Sequence, residues 1–568
     1  MKTILKKSVL VLVLVTVAGI STAFYAYRDR EFEIVKNLDI FYTLFKELNM
    51  FYVDETNPEQ LIKKGIDGML GSLDPYTEFI PESEADDFRF QTTGEYGGIG
   101  ALIRKAGDYA VVSDPYEGFP AAKNGIQAGD LLLEIDGTST KKKELPKVSE
   151  LLKGTPGTEV TLLIRRGADG KELKKKLKRE KITIPNVPYA GMLDNHTGYI
   201  RLSSFTTNAG KEVRDAMANL RDKKGAQAII LDLRGNPGGL LMEAVNIAAV
   251  FIPRGKEVVS TKGKVNQFDF DYKTSLAPVD TTIPVVVLTS RGSASASEIV
   301  AGSLQDYDRA VILGQRTFGK GLVQTTRRLS YNTQLKVTTA KYYIPSGRCI
   351  QAVDYSHRNE DGSVGIIPDS LIHAFKTKNG RTVYDGGGIL PDVKEEPENF
   401  SRIAVSLVTR NILFDFATRY AGKHDSIPQP GHFSLTDQEY AEFVEFIKDK
   451  DFDYQTESES KLAELEKAAR NDKYFEQVKD ELKALSASLA HDENKDIQTF
   501  RPEIEQLLTE EIVSRYYYQG GRIAYSLRFD NQVQAAKKIL QDKAKYTAIL
   551  NGSYKPSGEQ PGVEIARE

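Results

Sequence analysis

A chain of 568 residues is too long for a single hydrophobic core, so several domains are expected. Its 76 Lys and Arg nearly balance its 79 Asp and Glu, for a formal charge of −3, which argues against a polyanion-binding face; no nucleic acid partner is expected. The single cysteine, Cys349, excludes an intrachain disulfide and a cysteine metal cluster.

At the N-terminus Lys2, Lys6 and Lys7 precede Ser8 to Tyr27, twenty residues without a charge. As a helix at about 1.5 Å per residue, that stretch reaches roughly 30 Å, the hydrocarbon thickness of a bilayer. Residues 1–30 therefore read as a membrane segment with a cytoplasmic start and the bulk of the chain exported. Ser21-Thr-Ala23 is also a small-x-small cleavage pattern, so an uncleaved anchor and a removable signal peptide both stay open.

Residues 31–92 read as helical, with Leu38, Phe41, Leu44 and Phe45 forming an amphipathic stripe before the turn at Gly71-Ser-Leu-Asp-Pro-Tyr76. From residue 93 to 185 the texture changes to short strands and glycine turns. Gly97-Gly-Ile-Gly100 opens an apolar run, Tyr109-Ala-Val-Val112 makes another, and Ala128-Gly-Asp-Leu-Leu-Leu-Glu-Ile-Asp-Gly137 follows. These motifs resemble a PDZ domain. By that resemblance Gly97, Gly98, Ile99 and Gly100 would grip the terminal carboxylate of a peptide added to the sheet edge.

Residues 186–395 read as an α/β core. Its strands are expected at Thr197–Leu202, Ala228–Leu233, Pro284–Leu288 and Ala310–Leu313, and its helices at Ala209–Asp222, Gly239–Phe251 and Ser295–Gln305. Residues 396–550 are charge-rich and helical; in Glu459–Leu485 periodicity does not decide between a packed domain and a partner-binding arm. Residues 551–568 read as a loose tail. The fold class is thus multidomain α/β: a helical N-terminal region, a PDZ domain, an α/β core with a mixed sheet and a helical C-terminal region.

The chemistry concentrates in residues 293–324. Ser293-Ala-Ser-Ala-Ser-Glu298 follows one expected strand, and Phe318-Gly-Lys-Gly321 follows another. Neighbouring strand ends can bring a serine to a lysine, and a desolvated lysine can serve as the base where no histidine is at hand. Ser295 to Glu298 also spells a helix capping box, which explains the serine without catalysis. Yet a helix N-terminus beside a serine supplies N–H donors and positive dipole charge for an oxyanion. A base must lose its proton near neutrality, and Gln324 is a neutral neighbour suited to Lys320. In Leu231-Asp-Leu-Arg-Gly-Asn-Pro-Gly-Gly239 two glycines at a strand-to-helix turn can expose further donors.

Taken together, the Leu73-Asp-Pro turn, the PDZ signature, Asp232 to Gly239, Ser293 to Glu298, Phe318 to Gly321, Tyr342-Tyr-Ile-Pro-Ser-Gly347 and Gly387-Gly-Ile-Leu-Pro-Asp392 resemble the C-terminal processing peptidases, or tail-specific proteases. The resemblance covers roughly residues 35–395. It implies a serine endopeptidase of the bacterial envelope, on the periplasmic side, needing no metal and no cofactor. Substrates would be proteins or peptides held by their C-terminal tails in the PDZ domain and cut nearby. Ser295 would be the nucleophile, Lys320 the base and Gln324 its positioner. The oxyanion donors would be the N–H of Ala296 and of Gly238 or Gly239, and Asp306 would be structural. The family's arginine late in the PDZ domain is replaced here by Lys153, which puts any gating through that contact in doubt. A homo-oligomer or an adaptor is left open.

Three rival readings fit the sequence less well. Gly314-Gln-Arg-Thr-Phe-Gly-Lys-Gly321 nearly spells a phosphate-binding loop, but Gly321 stands where Ser or Thr must meet Mg²⁺, and a strand is expected next. The six histidines show neither metal spacing nor a serine neighbour. A catalytically inactive PDZ-bearing envelope scaffold would not need Ser295, Lys320 and Gln324 together.

Overall fold

The structure is a computed structural model describing residues 31–167, 170–358, 363–450, 452–490 and 492–554. The expected membrane segment, residues 1–30, and the end of the tail lie outside the described residues, and no described helix is long and apolar enough to cross a membrane.

The chain forms two units, Met1–Phe79 and Ile80–Glu568. In the first, a helix over residues 31–51 is followed by the helix Pro58–Gly71, which Asn57 caps by accepting the Gln60 N–H at 3.1 Å. The expected stripe is present, but Leu38, Phe41 and Leu44 stay exposed.

The second unit begins with an antiparallel sheet of Ala101–Ala106, Tyr109–Pro115, Leu131–Ile135, Glu159–Arg166 and Lys171–Lys178, in that spatial order. Ile99, Val112, Leu132, Ile135, Val148 and Leu162 fill its core. The lysine-rich run Lys171–Lys178 is itself the edge strand. Leu173 and Leu177 pack toward the core while exposed lysines alternate with them, a charge pattern that protects a sheet edge.

The central sheet runs Tyr189–Met192, Thr197–Arg201, Ala228–Asp232, Val285–Thr289, Val311–Gly314, Val393–Lys394, with the first pair antiparallel and the rest parallel. Strands covered on both faces read as continuous apolar runs, and the four expected strands are the four inner ones; the edge strands Tyr189–Met192 and Val393–Lys394 carry no such run. Alternate residues separate into two cores, as a period of two requires. Ile229, Leu231, Val285, Val287 and Ile312 face one core with helices Ala209–Ala218, Leu241–Phe251 and Ala296–Asp306. Ile230, Val286, Leu288, Val311 and Leu313 face the other. Each such side chain contributes about 1.5–3 kcal/mol by burial.

That second core is closed by Val533, Ala536, Ile539, Leu540 and Ile549, from helices Asn531–Gln541 and Lys543–Leu550. The end of the 396–550 region therefore packs as the second layer of the 186–395 core, although composition divides them after residue 395. Helices Arg402–Thr409, Ile412–Ala421, Asp437–Ile447 and Arg501–Ser526 form a separate core around Phe416, Phe443 and Ile512. Glu459–Leu485 falls in a hairpin of helices Glu457–Asn471 and Phe475–Leu489, in which no residue is buried.

Candidate active site

Three neighbouring parallel strands, Ala228–Asp232, Val285–Thr289 and Val311–Gly314, end on the same edge of the central sheet. From their C-terminal ends leave the glycine turn, the serine cluster and the glycine-flanked lysine, in that order. Ligand sites in open α/β sheets form at this edge. A cleft of about 440 Å³ lies there, and its lining includes Gly238, Gly239, Ser295, Ala296, Lys320 and Gln324. All six residues expected from sequence at the reacting centre are thus brought together.

The three serines separate cleanly. Ser293 is fully buried and donates its Oγ proton to the Leu233 carbonyl at 2.8 Å. Ser297 is equally buried and donates to the Asn236 carbonyl at 2.9 Å. That carbonyl also accepts the Ala294 N–H at 3.0 Å, and Ser290 Oγ accepts the Gly235 N–H at 3.0 Å. The outer serines are stitches between the glycine turn and the serine loop. Ser295 alone of the three lines the cleft, with φ 55 and ψ −113 at the N-cap of helix Ala296–Asp306. A non-glycine residue held there is strained, and such strain collects at functional sites.

Glu298, in the first turn of that helix, is fully buried. Its Oε2 accepts the N–H of Ser295 at 2.8 Å and of Lys320 at 2.9 Å. Its Oε1 accepts the Gly319 N–H at 2.7 Å and the Thr317 hydroxyl at 2.6 Å. Burial pushes the carboxyl up to about 7, against these four hydrogen bonds, which favour the charged form. The capping glutamate is present as the sequence suggests, but its reach extends to the lysine loop. The Tyr342 hydroxyl joins the same pair, donating to the Lys320 carbonyl and lying 3.2 Å from the Ser295 carbonyl.

Lys320 follows Gly319, whose φ is 87 and whose Cα faces Ala352 too closely for a side chain. Beyond Gly321 the chain enters the strand Leu322–Arg328, not a helix, which excludes the phosphate-loop reading. The pairing of that strand with Gln334–Tyr343 shifts register between Val323 and Gln324. Such a bulge re-aims side chains, and Leu322, Val323 and Gln324 all line the cleft in succession. Gln324 donates its Nε2 proton to Thr338 Oγ1 at 3.1 Å.

In the glycine turn, Asn236 donates its side-chain amide to the Leu202 carbonyl at 2.9 Å and accepts the Gly238 N–H at 2.9 Å. Gly238 has φ 97, and a Cβ there would stand 2.8 Å from the Ala296 nitrogen and 2.9 Å from Ser295 Cβ. Only glycine fits this approach to the serine. Asp306, read as structural, pairs with Arg348 at 2.9 Å, both side chains 1% exposed.

In the PDZ domain, Gly97 and Gly98 lie in a strand, Glu95–Gly98, paired with Glu180–Thr183. Gly97 accepts the Gly154 N–H at 3.1 Å, Ile99 is buried in the domain core, and Gly100 turns the chain with φ 73. Lys153 pairs with Asp87 at 2.6 Å. Asp87 lies on helix Ala85–Thr93, which supplies Phe88, Gln91 and Thr92 to the cleft wall.

Sequence reading missed Glu298 as a clamp, Tyr342 as a bridge and Lys336 as a cleft residue. Only the first left a signal, the capping box. Among the described residues no cluster suited to a metal ion is found.

Three family profiles match the chain: Peptidase family S41 over residues 196–372, PDZ domain over 111–166, and Probable PDZ-protease, C-terminal helical domain, over 403–540. A carboxy-terminal-processing protease of Bartonella bacilliformis is 36% identical over 347 residues, covering 61% of this chain and 77% of that one. A probable CtpA-like serine protease of Staphylococcus aureus is 35% identical over 378 residues, covering 65% and 71%. Among solved structures, a photosystem II D1 C-terminal processing protease is 30% identical, covering 63% of this chain and 92% of that one at a TM-score of 0.35.

Proposed function

This chain belongs to peptidase family S41 as a serine-type C-terminal processing protease, and we propose that it works through a Ser295–Lys320 dyad on substrates whose free C-terminal tails are held by its PDZ domain. The observation that carries the reading is the single cleft lined by Ser295, Lys320, Gln324, Ala296 and the Gly238–Gly239 pair.

In this reading Ser295 Oγ attacks the scissile carbonyl as its proton passes to neutral Lys320 Nζ. The oxyanion is met by the Ala296 N–H at the helix start and by one N–H of the glycine pair. Gly239 is the favoured partner, because the Gly238 N–H is already given to Asn236. The C–N bond breaks as Lys320 returns the proton to the leaving amine. Lys320 then takes a proton from water as that water attacks the acyl carbonyl, and returns the proton to Ser295 Oγ as the ester C–O bond breaks, which releases the acid and restores both residues. With its amide nitrogen tied to Thr338, Gln324 offers its carbonyl oxygen to Lys320.

Tail recognition by Gly97 to Gly100 and export into the bacterial envelope through residues 1–30 complete the proposal. Support comes from the PDZ profile match, which covers residues 111–166 of the domain beside this segment, and from the uncharged stretch Ser8 to Tyr27. The test compares a peptide carrying a free C-terminal carboxylate with its amidated form. The free form should be cut faster through a lower KM; equal rates would remove the tail from the mechanism.

A further inference from the structure

The glycine turn is held from the C-terminal helical region. Arg234, at the head of that turn, forks onto Asp232 through Nε at 3.0 Å and Nη2 at 2.7 Å. Its remaining donors reach the C-terminal helical region, at the helix that backs the central sheet. Nη1 meets Asp530 Oδ1 at 3.1 Å and Gln532 Oε1 at 2.8 Å, and Nη2 lies 2.7 Å from Asp530 Oδ2. Asp530 is 296 residues away in sequence and caps helix Asn531–Gln541, accepting the Val533 N–H at 3.0 Å.

Charge explains why the second carboxylate is needed. Asp232 is fully buried and already answers two guanidiniums, Arg234 and Arg201, the latter at 2.9 Å, besides the Tyr199 hydroxyl at 2.5 Å. Burial would raise its carboxyl, but the two guanidiniums hold it well below the usual range. Two arginines on one carboxylate would leave a net positive charge in a site where Arg234 is only 15% exposed. Asp530 brings the cluster to balance. A buried charge stripped of its partner reorganises what surrounds it, and here that is the turn leading through Asn236 to Gly238 and Gly239. The movement would not stay local, because the Asn236 carbonyl also holds Ala294 and Ser297 on the serine loop.

We propose that Asp530 is a positioning residue for the hydrolysis: through Arg234, the C-terminal helical region sets the glycine turn against Ser295, making that region part of the catalytic apparatus. This rests on the reading of the Gly238–Gly239 turn as oxyanion donor.

The test uses the full chain with Asp530→Asn, since asparagine keeps the helix cap while removing the charge. The expected result is a fall in kcat of about 10- to 100-fold, the range that slight misplacement of reacting groups produces, with KM within about twofold. A peptide aldehyde that mimics the tetrahedral intermediate should lose affinity in the same proportion, and Asp530→Glu should restore part of both. Gln532→Ala, which removes a neutral partner of Arg234 together with a donor to the Glu395 carbonyl, should show the same pattern more weakly. Wild-type kcat in folded Asp530→Asn overturns the proposal, as does a loss confined to KM. If Asp530→Asn does not fold, Gln532→Ala decides by the same two criteria. Ser295→Ala assayed in parallel separates the two levels. Cleavage surviving there overturns the nucleophile and the brace together, whereas an inert Ser295→Ala beside a fully active Asp530→Asn overturns the brace alone.

Discussion

Glu298 holds the backbone N–H of Lys320 at 2.9 Å with the same oxygen that holds the N–H of Ser295 at 2.8 Å. One buried carboxylate thus fixes the backbones of Ser295 and Lys320, the two members of the proposed dyad, and the Tyr342 hydroxyl lies against the carbonyls of the same two residues. The spacing of Ser295 and Lys320 is held through their main chains, not through the side chains that the proposed mechanism uses.

Glu298→Gln keeps the shape but replaces an acceptor of four hydrogen bonds by an amide that accepts at only one end. Turnover is expected to fall at least about 100-fold, by analogy with other misplacements of reacting groups. The pH dependence of stability gives a second readout. With its carboxyl raised from about 4.5 to about 7, the folded protein binds this proton more tightly than the unfolded chain. The contribution is therefore full below about pH 4.5, lost as pH rises toward 7 and level above. On the order of 3 kcal/mol is at stake across that window. Denaturant titrations of wild type and Glu298→Gln should converge or cross as pH rises through it, and a constant difference would contradict the assignment.

Ser293→Ala and Ser297→Ala should behave alike and unlike Ser295→Ala. Each removes a buried donor to a carbonyl of the glycine turn, at a cost of about 1–3 kcal/mol. Both should keep activity within about tenfold of wild type at temperatures where they are folded, a margin set by one lost stitch among several. Urea midpoints and initial rates on the same preparations check this.

Gly238→Ala should fold less stably and cleave at least about 100-fold more slowly, because the added Cβ would enter the space between Ser295 and Ala296. Rates normalised to the folded fraction by circular dichroism decide it. A fully active variant would mean that the turn does not approach the nucleophile as described.

Asp306→Ala leaves Arg348 buried without its carboxylate, and the cost should be about 3–5 kcal/mol. Neither residue lines the cleft, so the folded fraction should retain most of its kcat. A large kcat loss at unchanged stability would give Asp306 a part in the chemistry.

The order of the core was legible because its parallel strands are buried on both faces and read as apolar runs, each ending in a distinctive loop. The serine cluster and Lys320 could be placed at neighbouring strand ends for that reason, while the choice of Ser295 among the serines and the role of Gln324 came from the family resemblance. The separate duties of Ser293 and Ser297 were not legible, since their burial depends on a turn some sixty residues away. Glu298 looked like a helix cap because it is one; its grip on the lysine loop adds nothing to the local pattern. Asp530 gave no sign at all, lying in a region that composition separates from the core. The strand Lys171–Lys178 was hidden by its lysines, whose outward alternation is an edge-strand signature that spacing alone would have given.

The most direct measurement is turnover of a tail-bearing peptide by Ser295→Ala and Lys320→Ala, followed by mass spectrometry of the products with folding verified for each. The expected result is a loss of at least about 10⁴-fold in both, as when a nucleophile or its base is removed from other serine hydrolases. Cleavage by Ser295→Ala within about tenfold of wild type, beyond what any residual catalysis without a nucleophile sustains, would contradict the dyad.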